Sequence, residues 1–294
     1  MDPLTPRDPR ESPRELSDLR EPVILAAFEG WNDAGEAASG AVRHLLQVWD
    51  AELAYELDPE DYHDFQVNRP VASLDEGGRR RLTWPTTRVY VASPPGSDRD
   101  VLLVHGVEPS MRWRSYVKEL LGLAAESQAS LLISLAALLA DSPHTRPISV
   151  TRSSEDPELC ERFGVERPNY EGPVGIVGVL HDAAAVLELP ALSLWAAVPH
   201  YVGQPPSPKA TLALLRMVEE MLDVTIPLGD LPEDARAWEH GVDELAEEDS
   251  EIGAYVRQLE EAKDTADLPE ASGEAIAQEF ERYLRRRGED PRPG

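Results

Sequence analysis

The chain has 294 residues, of which 41% are hydrophobic, and a formal net charge of −27. A chain of this size can bury a large core, as one domain with appendages or as two modest domains. The charge argues against nucleic acid as a partner, and the longest apolar run (residues 131–140) is about half the roughly 20 residues that a membrane span needs.

Strand and helix patterns alternate through the first 210 residues. Short apolar or alternating runs predict strands at 23–28, 51–57, 80–83, 88–92, 100–106, 130–135, 147–151 and 191–198. Amphipathic or glycine-tolerant stretches predict helices at 33–49, 113–127, 157–163, 174–186 and 209–222.

This alternation predicts an α/β fold, with a mixed, mostly parallel sheet between helix layers. The strands at 80–83 and 88–92 are separated by only four residues, so we expect them to pair with each other as an antiparallel hairpin. We assign residues 21–223 to this α/β core domain.

The pattern changes after Asp223, where no further strand is predicted. Residues 224–288 are expected to form an acidic helical extension, with helical patterns over 232–263 and 273–287. Between Glu219 and Glu270 there are eighteen acidic side chains against three basic ones. The sequence leaves open whether these helices dock on the core of the same chain or on a neighbouring subunit.

Residues 1–20 are polar and rich in proline, without the apolar segment of a secretory signal. We expect them, and residues 289–294, to be disordered tails. The single cysteine, Cys160, excludes an intramolecular disulfide and argues against a cysteine-based metal site. These features favour a cytoplasmic protein.

Four predicted strands end in loops with polar and aromatic side chains. These are Glu29, Trp31, Asn32 and Asp33, then Glu108 and Arg112, then Asp141, His144 and Arg146, and finally His200. Because ligands of parallel sheets bind beyond the carboxyl ends of the strands, we predict that these residues surround one pocket or interface.

Each of these residues also has a structural interpretation. Asn32 or Asp33 can cap the following helix, with Glu36 completing a capping box. Glu29 follows a buried strand and needs a partner, for which Arg112 or Arg114 is available. His144 and His200 are either acid–base groups or hydrogen-bonded scaffolding.

Several motifs of enzymes are missing from the sequence. It contains no GxGxxG, GxxxxGK[ST] or GxSxG motif, and no histidine pair with the spacing of a metal site. We therefore predict neither a cofactor nor a bound metal.

Long strings along the chain resemble the actinobacterial branch of the proteasome assembly chaperone 2 family, over roughly residues 20–287. They include FEGWNDAG at 28–35, GVEPSMRWRSY at 106–116, YEGPVGIVGVLHDA at 170–183 and SLWAAVPHYVGQPPSPKATLALL at 193–215. The resemblance implies a phosphorylase/hydrolase-like core and a homo-oligomer, with a trimer as the first expectation. It also implies a role in assembling proteasomes by binding their α subunits.

The sequence departs from this family pattern in one respect. The archaeal relatives that bind the α-ring look as if they do so through a C-terminal tail made of a hydrophobic residue, a tyrosine and any third residue. This sequence ends GEDPRPG, and its nearest tyrosine is Tyr283. We therefore expect no docking through such a tail.

The sequence supports one leading hypothesis and two alternatives. The leading hypothesis is an oligomeric, non-enzymatic binding protein of the chaperone type. The first alternative is an enzyme or binder of a nucleoside, phosphate or carboxylate that uses the pocket at the strand ends. The second is that the same residues form a subunit interface.

Overall fold

The computed structural model describes residues 15–75, 77–165 and 167–266, within which there are nine strands and eight α-helices. The strands are β1 (Val23–Glu29), β2 (Glu52–Glu56), β3 (Val71–Leu74), β4 (Arg80–Thr83), β5 (Thr87–Ala92), β6 (Val101–Val107), β7 (Leu131–Ala140), β8 (Val150–Ser153) and β9 (Ala191–Pro199). The helices are α1 (Ala37–Val48), α2 (Pro59–Tyr62), α3 (Trp113–Glu126), α4 (Pro157–Phe163), α5 (Ile176–Val186), α6 (Pro208–Leu222), α7 (Leu231–Glu248) and α8 (Ser250–Ala266).

Seven strands form one sheet in the order β2-β5-β6-β1-β7-β9-β8. The four central strands, β6, β1, β7 and β9, are parallel, and the outer strands β5, β2 and β8 are antiparallel to their neighbours. The prediction of a mixed, mostly parallel sheet is confirmed. The near-continuous apolar run of β1 is typical of a central strand that is covered on both faces.

The predicted pairing of 80–83 with 88–92 is wrong. Strand β4 pairs instead with β3, at a place where no strand was predicted, and the two form a separate hairpin. Strand β5 enters the main sheet between β2 and β6. The exposed strand β3 has no alternating apolar signal in the sequence, so its pairing with β4 was not predicted. Strand β5 alternates buried and half-buried residues, as expected of a strand inside the main sheet, whereas every residue of β4 is exposed.

Helices cover both faces of the sheet. On one face, α1 and α6 pack on alternate residues of the central strands, such as Leu25 and Leu103. On the other face, α3 and α5 pack on the intervening residues, such as Ile24 and Leu102. This alternation follows from the period of two residues in a strand.

The acidic extension docks on the core of the same chain. Helix α7 packs against α6 and α8 against α7, with Val242, Val256 and Leu259 buried. The helical pattern predicted over 232–263 is two helices, because the Asp249 carboxylate accepts hydrogen bonds from the backbone of Glu251 and Ile252 and so starts α8. The predicted helix at 273–287 lies outside the described residues.

Part of the predicted N-terminal tail, residues 15–20, is described. Leu16–Asp18 form a short 3₁₀ helix, and Leu16 is buried in the core on the α3 side. Arg20 forms an ion pair with Asp100 at 2.8 Å. Residues 1–14 and 289–294 lie outside the described residues. Among the described residues, no helix is both long and apolar enough to cross a membrane.

Candidate functional site

The carboxyl ends of β6, β1, β7 and β9 lie at one end of the sheet, which we call the carboxyl edge. The structure divides the ten predicted site residues into two groups of four and two residues, Arg112 and Trp31, that lie outside both groups. Glu29, Asn32, Asp33 and Glu108 lie around the ends of β1 and β6, while Asp141, His144, Arg146 and His200 meet the acidic extension. Arg112 belongs to neither group, and the Trp31 side chain is 67% exposed.

Glu29 is the last residue of β1, and its carboxylate lies beside an arginine and a histidine. The Arg43 guanidinium on α1 donates to its carboxylate at 3.2 Å, and His105 Nε2 on β6 lies 3.5 Å from the same oxygen. Burial raises the pKa of Glu29 and lowers that of His105 to about 4. The buried Nε2 atom of His105 has no hydrogen-bond partner among the described residues.

The prediction that Arg112 or Arg114 is the partner of Glu29 is wrong. Arg112 has a left-handed backbone at the start of α3, and its guanidinium binds Asp61 and lies over the ring of Tyr62. The actual partner, Arg43, also binds Glu36 at 2.8 Å. Glu36 precedes α1 and has a left-handed backbone, so helical spacing does not identify Arg43, and no signal in the sequence points to it as the partner of Glu29.

Glu108 and Asn32 join three elements at the carboxyl edge. The Glu108 carboxylate accepts a hydrogen bond from the Asn32 side-chain amide at 3.0 Å and one from the Ile176 backbone at 2.8 Å, at the start of α5. A carboxylate is favoured at a helix N-terminus. Gly175 packs so closely that a Cβ atom there would lie 2.2 Å from the Asn32 amide. These contacts are structural.

Asp33 caps α1, which is one of the two interpretations predicted. Its Oδ1 accepts hydrogen bonds from the backbone of Ala38 at 2.7 Å and Ser39 at 3.2 Å. Glu36 does not complete a capping box, because its carboxylate binds Arg43. Burial raises the pKa of Asp33, whose Oδ2 has no hydrogen-bond partner among the described residues.

His144 is fully buried where the loop after β7 meets the extension. Its Nδ1 lies 2.7 Å from the Tyr201 hydroxyl, and its Nε2 lies 3.0 Å from the Asp243 carboxylate on α7. The ring can therefore receive the hydroxyl hydrogen at Nδ1 and donate its own from Nε2. Because both ring nitrogens are engaged, this geometry supports the scaffolding interpretation.

The other residues of this group also bind the extension. Arg146 makes a two-point contact with Asp264 on α8, with both nitrogen–oxygen distances 2.7 Å, and contacts Glu260 at 3.2 Å. His200 lies 3.3 Å from Asp141, which accepts a hydrogen bond from Tyr255 on α8. The carboxyl edge of β7 and β9 is thus occupied by the extension of the same chain.

Two grooves follow the line where the extension meets the core. One, of about 330 Å³, is lined by His144 and residues of α7 and α8, and the other, of about 620 Å³, lies between α1, the start of α6 and α7. Glu29 and His105 line neither of them. Among the described residues, no group of three or more His, Cys, Asp or Glu side chains is placed to hold a metal ion.

A family model described as the PAC2 family matches residues 27–246. The chain belongs to the PAC2 family. The match runs from the end of β1 to most of α7, so it includes every predicted site residue. It ends before α8, which supplies the partners of Arg146.

Solved structures agree with this assignment to the PAC2 family. A PAC2 family protein of Streptomyces avermitilis is 58% identical, with a TM-score of 0.76, and the match covers 80% of this chain and 99% of that one. A proteasome-assembly chaperone homologue of Mycobacterium tuberculosis is 51% identical, with a TM-score of 0.73 and the same coverage.

The similarity to a more distant structure shows only that the fold is shared with this PAC2 chain. An archaeal proteasome activator of Pyrococcus furiosus, PbaB, is 20% identical, with a TM-score of 0.62 over 80% of this chain and 96% of that one. No curated protein matches the sequence.

Proposed function

We propose that this chain is an oligomeric, non-enzymatic binding protein that acts in the cytoplasm as a proteasome-assembly chaperone, with proteasome α subunits as its partners. The observation that carries the proposal is the 51% identity to the proteasome-assembly chaperone homologue of Mycobacterium tuberculosis. The predicted site residues support it: Asn32, Asp33, Glu108 and His144 are buried or half-buried and bound to other parts of the same chain.

Trp31 is the residue at the carboxyl edge best suited to a protein partner. It lies two residues after the end of β1 and is 67% exposed, while the neighbouring Asn32 and Asp33 are buried and hydrogen-bonded to the body of the protein. An exposed tryptophan on a fixed backbone is a typical anchor of a protein interface. We place the contact with the α subunit around this side chain.

The test is capture of purified proteasome α subunits from the same host by the tagged full-length chain. We expect the wild type to retain α subunits and Trp31→Ala to retain at least about tenfold less, because a central aromatic anchor contributes 2 kcal/mol or more. Val186→Ala, which removes another exposed apolar side chain far along the sequence on α5, is the matched control and should bind like the wild type. Failure of the wild type to capture α subunits contradicts the proposal.

One observation favours a second function, a small-molecule site. Glu29 and His105 are adjacent, their pKa values are shifted in opposite directions, and Arg43 adds a positive charge beside them. Titratable groups with shifted pKa values are more frequent at functional sites than elsewhere. The candidate ligands are those of the alternative drawn from the sequence, a nucleoside, a phosphate or a carboxylate.

A thermal-shift screen with nucleosides, phosphates and amino acids distinguishes this alternative. A ligand at 100 times its Kd adds about 2.7 kcal/mol to the free energy of unfolding. If the site binds such a ligand, Glu29→Gln should abolish the shift, whereas Arg216→Gln on the exposed side of α6 should not. A library without any stabilising compound contradicts the alternative.

A further inference from the structure

The β3–β4 hairpin is the part of the structure with the least support from its own chain. It leaves the main sheet after the edge strand β2 and returns at β5, and all eight of its residues are exposed. A two-stranded hairpin with no third strand or helix is marginally stable in water. The hairpin therefore offers a surface that a partner can cover.

One face of the hairpin combines apolar and basic side chains. The register pairs Ala72 with Leu82 and Leu74 with Arg80, so these four side chains share a face, which we call the hairpin face. Leu74 is 72% exposed and Leu82 is 48% exposed. Arg80 forms no ion pair within the described part of the chain.

The two neighbouring arginines differ from Arg80. Arg79 and Arg81 each bind the Asp75 carboxylate, at 3.3 and 3.4 Å. They help to hold the turn of the hairpin. Arg80 lies on the hairpin face, so its charge is available to a partner that covers this face.

The end of α7 and the start of α8 carry apolar and acidic side chains, which complement the apolar and basic side chains of the hairpin face. Leu245 is 40% exposed, and Glu248, three residues later, lies on the same side of α7. Glu247 and Glu251 are exposed nearby in the sequence, and none of these three glutamates forms an ion pair among the residues that the structure describes. We call Leu245, Glu247, Glu248 and Glu251 the acidic corner.

We propose that the hairpin face of one copy packs on the acidic corner of a second copy of this chain, with Leu74 and Leu82 against Leu245 and Arg80 paired with Glu248. This inference rests on the self-association in the proposed function and not on proteasome binding. Each surface has an apolar centre and charges of opposite sign, which is the complementarity that orients protein interfaces.

Two further observations favour a second copy as the occupant. The hairpin follows β2 at one side of the sheet, whereas the acidic corner belongs to helices that bind the loops after β7 and β9, towards the other side. Two different surfaces of one chain that pair in this way form a heterologous interface, which gives a ring when the rotation between copies closes and an open filament when it does not. In addition, a chain of net charge −27 repels its copies, so contact is favoured where one of them presents a local positive charge.

Charge reversal tests the proposed pair in the full-length chain. Sedimentation velocity is measured for the wild type, Arg80→Glu, Glu248→Arg and the double variant that carries both changes. We expect the wild type to form a ring, each single variant to associate at least about tenfold more weakly, and the double variant to recover the wild-type species. Arg216→Glu, a reversal at an exposed arginine on α6, is the matched control and should sediment like the wild type.

Three results overturn the inference: a wild type that is monomeric at every concentration, single variants that associate as the wild type does, or a double variant that stays dissociated. Circular dichroism of each variant shows whether a loss of association comes from misfolding. The same variants in the α-subunit capture assay separate this inference from the proposed function, because a chain that binds α subunits without forming the ring retains the function and loses the interface.

Discussion

His105 Nε2 lies 3.5 Å from the Oε1 atom of Glu29, and burial shifts the pKa values of these two groups in opposite directions. The raised pKa of Glu29 favours its neutral form, and the lowered pKa of His105 keeps the imidazole neutral at pH 7. Each group is therefore less readily charged in the folded chain than it would be in water. This links the stability of the carboxyl edge to pH.

Glu29→Gln should change the free energy of unfolding more favourably at pH 7 than at pH 4. The folded pKa of Glu29 lies above the unfolded value, so its contribution is fully present below the unfolded pKa and is lost as pH rises through the folded pKa. A neutral glutamine avoids this loss. Urea unfolding at both pH values measures the difference, and a variant that loses stability more at pH 7 than at pH 4 would contradict the direction of the shift.

His105→Gln should reduce the loss of stability on acidification. The folded pKa, about 4, lies below the ordinary value of 6.5, so the neutral imidazole contributes fully above pH 6.5 and its contribution falls as pH drops towards 4. We expect the variant to lose less of its melting temperature than the wild type between pH 6.5 and pH 4. His240→Gln, at an exposed histidine on α7, is the control and should follow the wild type.

Local signals in the sequence account for most of the fold. Helix α4 begins and ends where it was predicted, because Asp156 caps it, Pro157 occupies its first position and Gly164 ends it with φ of 60°. The apolar runs of β1 and β6 are equally clear. By contrast, the exposed strand β3 has no apolar alternation to identify it.

The partners at the carboxyl edge were less predictable, because they depend on how distant elements pack. The ten residues were predicted to share one edge, but their contacts separate them, with Glu108 binding the start of α5 and Arg146 binding α8. His105 was hidden inside an otherwise apolar strand. A polar residue near the carboxyl end of such a strand, on the same face as Glu29, is the signal that could have identified it.

Glu108→Ala should destabilise the folded chain by about 1–2 kcal/mol. The change removes the acceptor for the first backbone N–H of α5 and leaves the buried Asn32 amide without its partner. Glu108→Gln keeps one carbonyl oxygen for these donors and should cost less than the alanine variant. Urea unfolding followed by circular dichroism measures both, and equal losses in the two variants would show that the hydrogen bonds are not the cause.

Arg146→Ala should loosen α8 while leaving the core intact. Arg146 joins the loop after β7 to both Glu260 and Asp264, so its removal leaves two carboxylates of α8 without this partner. We expect faster hydrogen exchange of the amides of α8, with unchanged protection of α6 and the central strands. Arg152→Ala is the matched control, because Arg152 pairs with Glu220 on α6 and forms no ion pair with the described part of the extension. Unchanged exchange in α8 would mean that burial of Val256 and Leu259 is sufficient to hold it.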